Sequence, residues 1–600
     1  MKKLTFIFLL LIASIGMAAT PEDNFNLAQE YFSKSDYAKA KSYYQKLNDN
    51  DEYSARIYEN YRICLIKLKE FKTVDKYLKK KLKSDPTNAQ LIVDKALNQQ
   101  MMGNEKSYLS LIKKEEEYRK KNLLALRELV KALRSRDLID EAIQVMNNAK
   151  STFHDEALFS YDLADIYLRK GNTKVFITHI LVYVKEEPNQ LLYVENLFQS
   201  VLKLKDYDEL EIQLFPLLTD KSTQVYSELI TWMYIQKKDF YNAYVQLRAI
   251  DKVTYDRGKR LLELGALALD NVDYENAITI FSYVQENYPS DYNGYVAEKL
   301  KIGAKRQKIE STYPIDTALI QSIVVDYKEL LTRTRRVDDQ IDIKRQMARM
   351  EAFYLAKYNE SIANLKSLIN NPRISLVLKS ECKLELGDIY ILVNEPWESA
   401  LLYYQVEKDF ETETIGHEAK LRNSKLSYYK GDFELAQSHL DILKEATSRE
   451  ISNDAMALSL LIKDNLALDT SDAALKLYAF AELYEFQGNI NKSISYLNSL
   501  IKTFEGHSLI DECYFKKGQI LLSKGQYEAA LQNFKIVVSD FPDDILADAA
   551  LYNLAITYEI YLKNTELAKA TYKRILIDYS GSVYAVDARK RYRLLRGDKI

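Results

Sequence analysis

The sequence predicts an all-α protein, a solenoid or superhelix of about fourteen helix-turn-helix repeats, and three observations carry that expectation. Apolar positions recur at a fixed spacing of 34 residues over the first half of the chain. Gly and Pro are scarce, 16 and 9 in 600 residues, and 46 tyrosines stand against 2 tryptophans. A fixed period of this size signals stacked supersecondary units, each burying its neighbour's face. Scarce turn residues argue against a β protein, which needs them every few positions. Tyrosine, an aromatic with a polar tip, suits many half-buried helix seams. A single core also stops growing near ~250–300 residues, well short of this length.

The residues expected to open each second helix are Tyr37, Phe71, Glu105, Ile139, Thr173, Tyr207, Phe240 and Tyr274, spaced by 34 except for one step of 33. Nine residues before them stand Ala28, Arg62, Ala96, Val130, Ala164, Phe198, Thr231 and Gly265, often small, with Arg62 and Phe198 marking divergent units. Seven residues after them every position is large and apolar, from Tyr44 and Leu78 to Phe281. Small residues let antiparallel helices approach closely, and large ones fill the gap. Pro86, Pro188 and Pro289 then end their units, because proline cannot continue a helix. Gly103, Gly171, Gly431, Gly488 and Gly525 occupy equivalent turns, where a left-handed residue closes one helix before the next begins.

The second half changes period. Gly387 and Ser424 are 37 apart, as are Ala481, Gly518 and Ala555, and the sharpest unit contains Gly525, Tyr527, Ala530, Phe534 and Pro542. The pattern lapses between about 295 and 345. The expected organisation is therefore a leader over 1–18, an array over 19–294, an irregular helical connector over 295–345, and a second array over 346–600. The leader reading rests on Lys2 and Lys3, an apolar stretch over 4–15 and the small-x-small triplet Gly16-Met17-Ala18. That stretch is too short to span a bilayer, which takes ~20 residues.

Net charge of −2 gives no electrostatic case for nucleic acid. Cys64, Cys382 and Cys513 lie several repeats apart and are expected as buried small hydrophobes. The five histidines, His154, His179, His417, His439 and His507, form no metal-binding spacing. With no phosphate-cradling loop or nucleophile elbow either, the expectation is no enzyme, no cofactor and no metal. What remains is the concave face lined by first helices. Arg127, Lys131 and Arg134 form one stripe there, and Arg169 and Lys203 occupy related positions in the next two units. Such a patch suits an acidic peptide or partner surface; the plainer alternative is solvated charge balanced by nearby Glu.

These repeated residues resemble the tetratricopeptide repeat superfamily over nearly the whole chain after the leader. The 37-residue units, with their Phe541-Pro542 junction, look like those of bacterial envelope tetratricopeptide proteins of the Tol-Pal coordinator and outer-membrane assembly types. The resemblance implies a periplasmic protein-interaction scaffold, peripheral to the outer membrane and without an integral span. The family's carboxylate clamp is not reproduced, since its positions fall on Phe25, Gln29, Asn60, Gln90 and Asp94. The expected function is a non-catalytic scaffold or adaptor binding envelope proteins or peptides. The alternatives are a periplasmic holdase or surface-assembly factor for outer-membrane clients and a peptidoglycan-processing enzyme of solenoid fold.

Overall fold

The computed structural model describes residues 20–219, 224–445, 448–467 and 471–598, so the expected leader lies outside the described residues. Those residues form 33 α-helices and no strand. Setting aside the short Asp51–Ser54, the additional Arg449–Ala467 and the last helix Ala585–Arg596 leaves fifteen successive helix pairs. Tyr37, Phe71, Glu105, Ile139, Thr173, Phe240 and Tyr274 are each the first residue of a helix. The remaining expected start, Tyr207, is second in Asp206–Leu214.

The turn within each pair explains this regularity. Gly103 and Gly171 have left-handed φ of 80° and 70°, but the same position is left-handed at Ser35, Lys69, Asp137, Lys238 and Val272, with φ of 56–63°. A side chain pays a steric penalty in that region. The compensation is a hydrogen bond from the next backbone N–H back to the first helix: Asp36 to Tyr31, Glu70 to Leu65, Asp239 to Tyr234 and Asp273 to Ala268, each at 2.9 Å. This six-to-one bond satisfies a carbonyl that the helix end would otherwise leave open. The repeat geometry, not glycine, therefore sets the turn.

Close approach within a pair depends on partners sixteen residues apart. A β-carbon on Gly265 would enter the ring of Phe281, one on Gly387 that of Tyr403, and one on Gly518 that of Phe534. Phe281, Tyr403 and Phe534 are fully buried. In the Ala547–Ile556 unit a π-helical turn at Thr557–Tyr561 follows the first helix, and the buried partner is Tyr572, seventeen residues beyond Ala555. Arg62 replaces the small residue in its unit and stays buried by pairing with Glu59 at 2.8 Å and Asp94 at 3.6 Å.

The chain divides into two compact units, 1–246 and 247–600, with the boundary inside helix Phe240–Thr254. In the first unit one core gathers Tyr44, Tyr61, Cys64 and Leu78, and another gathers Leu129, Leu133, Val145 and Met146. The second unit includes the stretch 295–345, which is helical: Tyr292–Glu310, Thr317–Arg333 and Val337–Phe353 pack around Ile320, Ile323, Leu330 and Met350. These helices run to 19, 17 and 17 residues. A pair of that length overruns a 34-residue period, which is why the pattern lapses there. The first helices Leu376–Leu392 and Thr414–Lys430 are also 17 residues long, against 13 in Ala89–Met101 and Leu123–Ser135. In these two units about one added turn lengthens the repeat, whereas Ala473–Phe486 and Ile510–Ser523 have 14 residues and the added spacing of their units lies outside the first helix.

Within the second unit distant repeats meet. The Tyr527 hydroxyl donates to the Tyr313 carbonyl at 3.1 Å, and Gln487 Nε2 donates to the Ile391 carbonyl at 2.9 Å. The Phe353 and Phe486 rings meet edge to face with centroids 5.8 Å apart.

Candidate functional site

Helix Leu123–Ser135 starts at Asn122, whose side chain accepts from the Ala125 N–H at 3.2 Å. Its Leu126, Leu129, Val130 and Leu133 are buried, so helical spacing turns Arg127, Lys131 and Arg134 to another face. The neighbouring first helix, Ser160–Arg169, buries Leu163, Ala164 and Ile166 and presents Asp162, Asp165 and Arg169. Between the two runs a groove of about 800 Å³, lined by Arg127, Lys131, Arg134, Arg169 and Lys170 above Val130, Phe159 and Ile166.

The cations are not equivalent. Arg134 bonds Asp162 at 2.9 Å and also reaches Asp165, which accepts from Arg169 Nε at 3.1 Å. Lys170 pairs with Asp140 at 2.7 Å. Arg127 instead lies over the Phe159 ring, 5.1 Å from its centroid. Phe159 is buried and left-handed, with φ 59°, a costly conformation for a bulky residue. Lys131 is exposed, and among the described residues neither it nor Arg127 makes an ion pair. Beyond Lys131 and Ser135 a second cavity of about 430 Å³ continues toward helix Ala89–Met101, past Asp85, Asn88, Gln90 and Glu128.

Four of the five cations expected from the sequence thus line one groove. Lys203 does not. Its helix, Leu191–Val201, ends two residues earlier, and the Lys203 backbone N–H donates to Asp206 Oδ2 at 2.9 Å in the turn. A stripe through Lys203 would need the helix to continue past Val201. Sequence reasoning missed Phe159 and Lys170, which sit at the two ends of helix Ser160–Arg169 rather than on its repeating face. The carboxylates of Asp162 and Asp165 carry the signal for this pairing in the sequence, since Asp165 precedes Arg169 by one turn.

Asp94, at one clamp position, is fully buried and receives Arg136 Nε at 2.6 Å as well as Arg62 and the Tyr58 hydroxyl. A buried carboxylate needs such partners, so its side chain is committed to joining repeats. Cys64, Cys382 and Cys513 are buried and unbonded; burial pushes the Cys64 thiol up to about 11 and the Cys382 thiol up to about 12, the behaviour of packing groups and not nucleophiles. Among the described residues no cluster of three or more His, Cys, Asp or Glu could hold a metal ion, and no helix is long and apolar enough to cross a membrane.

Fold and groove together define an α-helical repeat protein with a solvent-open groove across consecutive units. Residues 24–52 and 511–539 match one tetratricopeptide repeat model and residues 549–582 another; these repeats support a protein-interaction scaffold. No curated protein matches the chain. Among solved structures the chain is similar to one of Naa15/Naa10 bound to HypK-THB, at 12% identity and TM-score 0.26 over 96% of each chain. It is similar also to a tetratricopeptide repeat protein from Parabacteroides merdae, at 14% identity and TM-score 0.26 over 50% of this chain and 98% of that one. A third is the APC/C hetero-tetramer Cut9-Hcn1, at 12% identity and TM-score 0.24 over 96% of this chain and 97% of that one.

Proposed function

We propose that the protein is a non-catalytic scaffold or adaptor of the bacterial cell envelope, exported by the leader over 1–18, which binds partner proteins or peptides along the Arg127–Arg169 groove. The observation that carries this reading is the pair of exposed cations Arg127 and Lys131 facing an open groove without ion-pair partners among the described residues. A surface preformed by packed helices binds with little ordering of its own, which leaves more interaction energy for affinity. The leader and the style of the 37-residue units support the envelope setting.

A photo-crosslinking residue placed at Arg169 in the native envelope tests the proposal. Discrete protein adducts are expected from that position and not from the same residue placed at Lys83. Equal labelling from both positions, or none from either, would remove the groove as a partner surface. Fractionation of the tagged protein checks the setting, with cytoplasmic retention the contrary result. A second reading, holding of unfolded outer-membrane clients, draws on the exposed Leu124, Leu192 and Tyr193; suppressed aggregation of such a client, insensitive to groove charge, would favour it over stable scaffolding.

A further inference from the structure

The geometry points to an internal acidic segment of a partner chain as the occupant of the Arg127–Arg169 groove, held by its side-chain carboxylates and not by a free chain end. This rests on the groove being the partner surface. The five cations divide into two sets. Arg134, Arg169 and Lys170 are already paired with Asp162, Asp165 and Asp140. Arg127 and Lys131, one turn apart, are exposed and have no ion pair among the described residues. One turn advances about 5.4 Å, close to the roughly 6.6 Å that separates alternate residues of an extended chain. Two carboxylates at that spacing reach both cations at once. Arg127 Cζ lies 5.1 Å from the Phe159 ring centroid, and its N–H groups have no carboxylate partner among the described residues, so they can meet an incoming carboxylate.

The groove also dictates what surrounds those carboxylates. Lys131 and Ser135 line both the groove and the second cavity, so a segment that runs on past Lys131 enters the second cavity, where a chain end would stop short. The charge changes sign along that path. Asp85, which has no ion pair among the described residues, lines the second cavity with Glu128, itself bonded to Arg119 at 3.2 Å, so Asp85 opposes further acidic residues there and favours neutral or basic ones. The segment is therefore acidic at one end and neutral or basic at the other, and a uniform polyacid fits less well.

The test uses the full chain and a short fluorescent peptide, acetylated and amidated, with Glu-Leu-Glu followed by Lys and Ser. Fluorescence anisotropy should show binding that weakens about tenfold or more when Glu-Leu-Glu becomes Gln-Leu-Gln, as expected when two charge-assisted contacts are lost. R127E and K131E should weaken it similarly and K83E should not, and a free terminal carboxylate on the peptide should change little. Lys131→Met, which keeps the stem and removes the charge, repeats the measurement if K131E lowers the melting temperature. Equal binding of the Gln peptide, binding only of the free-acid form, or no binding of any peptide would each overturn the inference. Groove adducts that persist in the envelope while the acidic peptide fails would leave the scaffold standing and remove only its acidic preference.

Discussion

Gly518 and Phe534 meet across one helix pair, and the ring occupies the space a β-carbon on Gly518 would need. Phe534 is fully buried among Leu531, Val537 and Leu554, so it has no free volume into which to move. Gly518→Ala should cost about 1–3 kcal/mol through overpacking, read as a lower denaturant midpoint. Gly303, inside helix Tyr292–Glu310 with nothing near its missing β-carbon, provides the contrast. Gly303→Ala should be neutral or stabilise by up to about 1 kcal/mol; equal losses at both sites would refute the packing argument.

Val272 is a β-branched residue held at φ 63° in the turn before Tyr274, and it is exposed. Val272→Gly relieves the strain without opening a cavity. The protein should gain about 1 kcal/mol, the left-handed penalty for a side chain less the extra backbone freedom of glycine. A lower melting temperature for V272G would show that the side chain contributes more than the strain costs.

His179 stacks on Tyr167 with ring centroids 5.7 Å apart. Burial first, and then the charge of Lys150, lower its pKa from 6.5 to about 4. The unfolded chain therefore takes up the proton at a higher pH than the folded one. This group's contribution to stability is present above about 6.5 and is lost as pH falls from there to about 4. The imidazole resonance in an NMR titration should have its midpoint near 4, and His179→Gln should flatten the pH dependence of stability in that window. A midpoint above 6 would contradict the burial.

Arg422 Nη1 bonds Asp388 Oδ2 at 2.7 Å, while Asp388 Oδ1 accepts from the Tyr403 hydroxyl at 2.7 Å. Arg422→Met leaves the buried Asp388 carboxylate with Arg349, at 3.9 Å, as its remaining cationic partner and should cost about 3 kcal/mol, the low end for a broken buried pair. Adding Asp388→Asn removes the carboxylate charge and should recover much of that loss. Additive losses in the double variant would show that the two residues do not act as a pair.

Much of the fold was legible because its determinants are local. Tyr37 to Tyr274 begin helices as their spacing requires, and Gly387 and Gly518 sit where a ring needs room, since these positions depend only on one helix pair. The groove was partly legible for the same reason: Arg127, Lys131 and Arg134 share a face of a single helix. Lys203 failed because one helix ends early. Phe159 and Lys170 escaped notice because they belong to helix ends, where the repeat pattern does not reach. The expected array boundaries at 294 and 346 follow repeat length, whereas the compact units divide at 246/247 by contacts, a property that period does not report.

By itself the sequence determined the helical repeat, its two periods, the residues that open second helices and the charged stripe on helix Leu123–Ser135. Only the tertiary structure decided which cations stay unpaired, that Arg62, Asp94 and Arg136 join three repeats, and that the Tyr313 carbonyl meets Tyr527 across 214 positions. A helix pair is specified by side chains within some forty residues of one another. Meetings between distant repeats follow from small rotations accumulated at every stacking step, and no single stretch of chain encodes that sum.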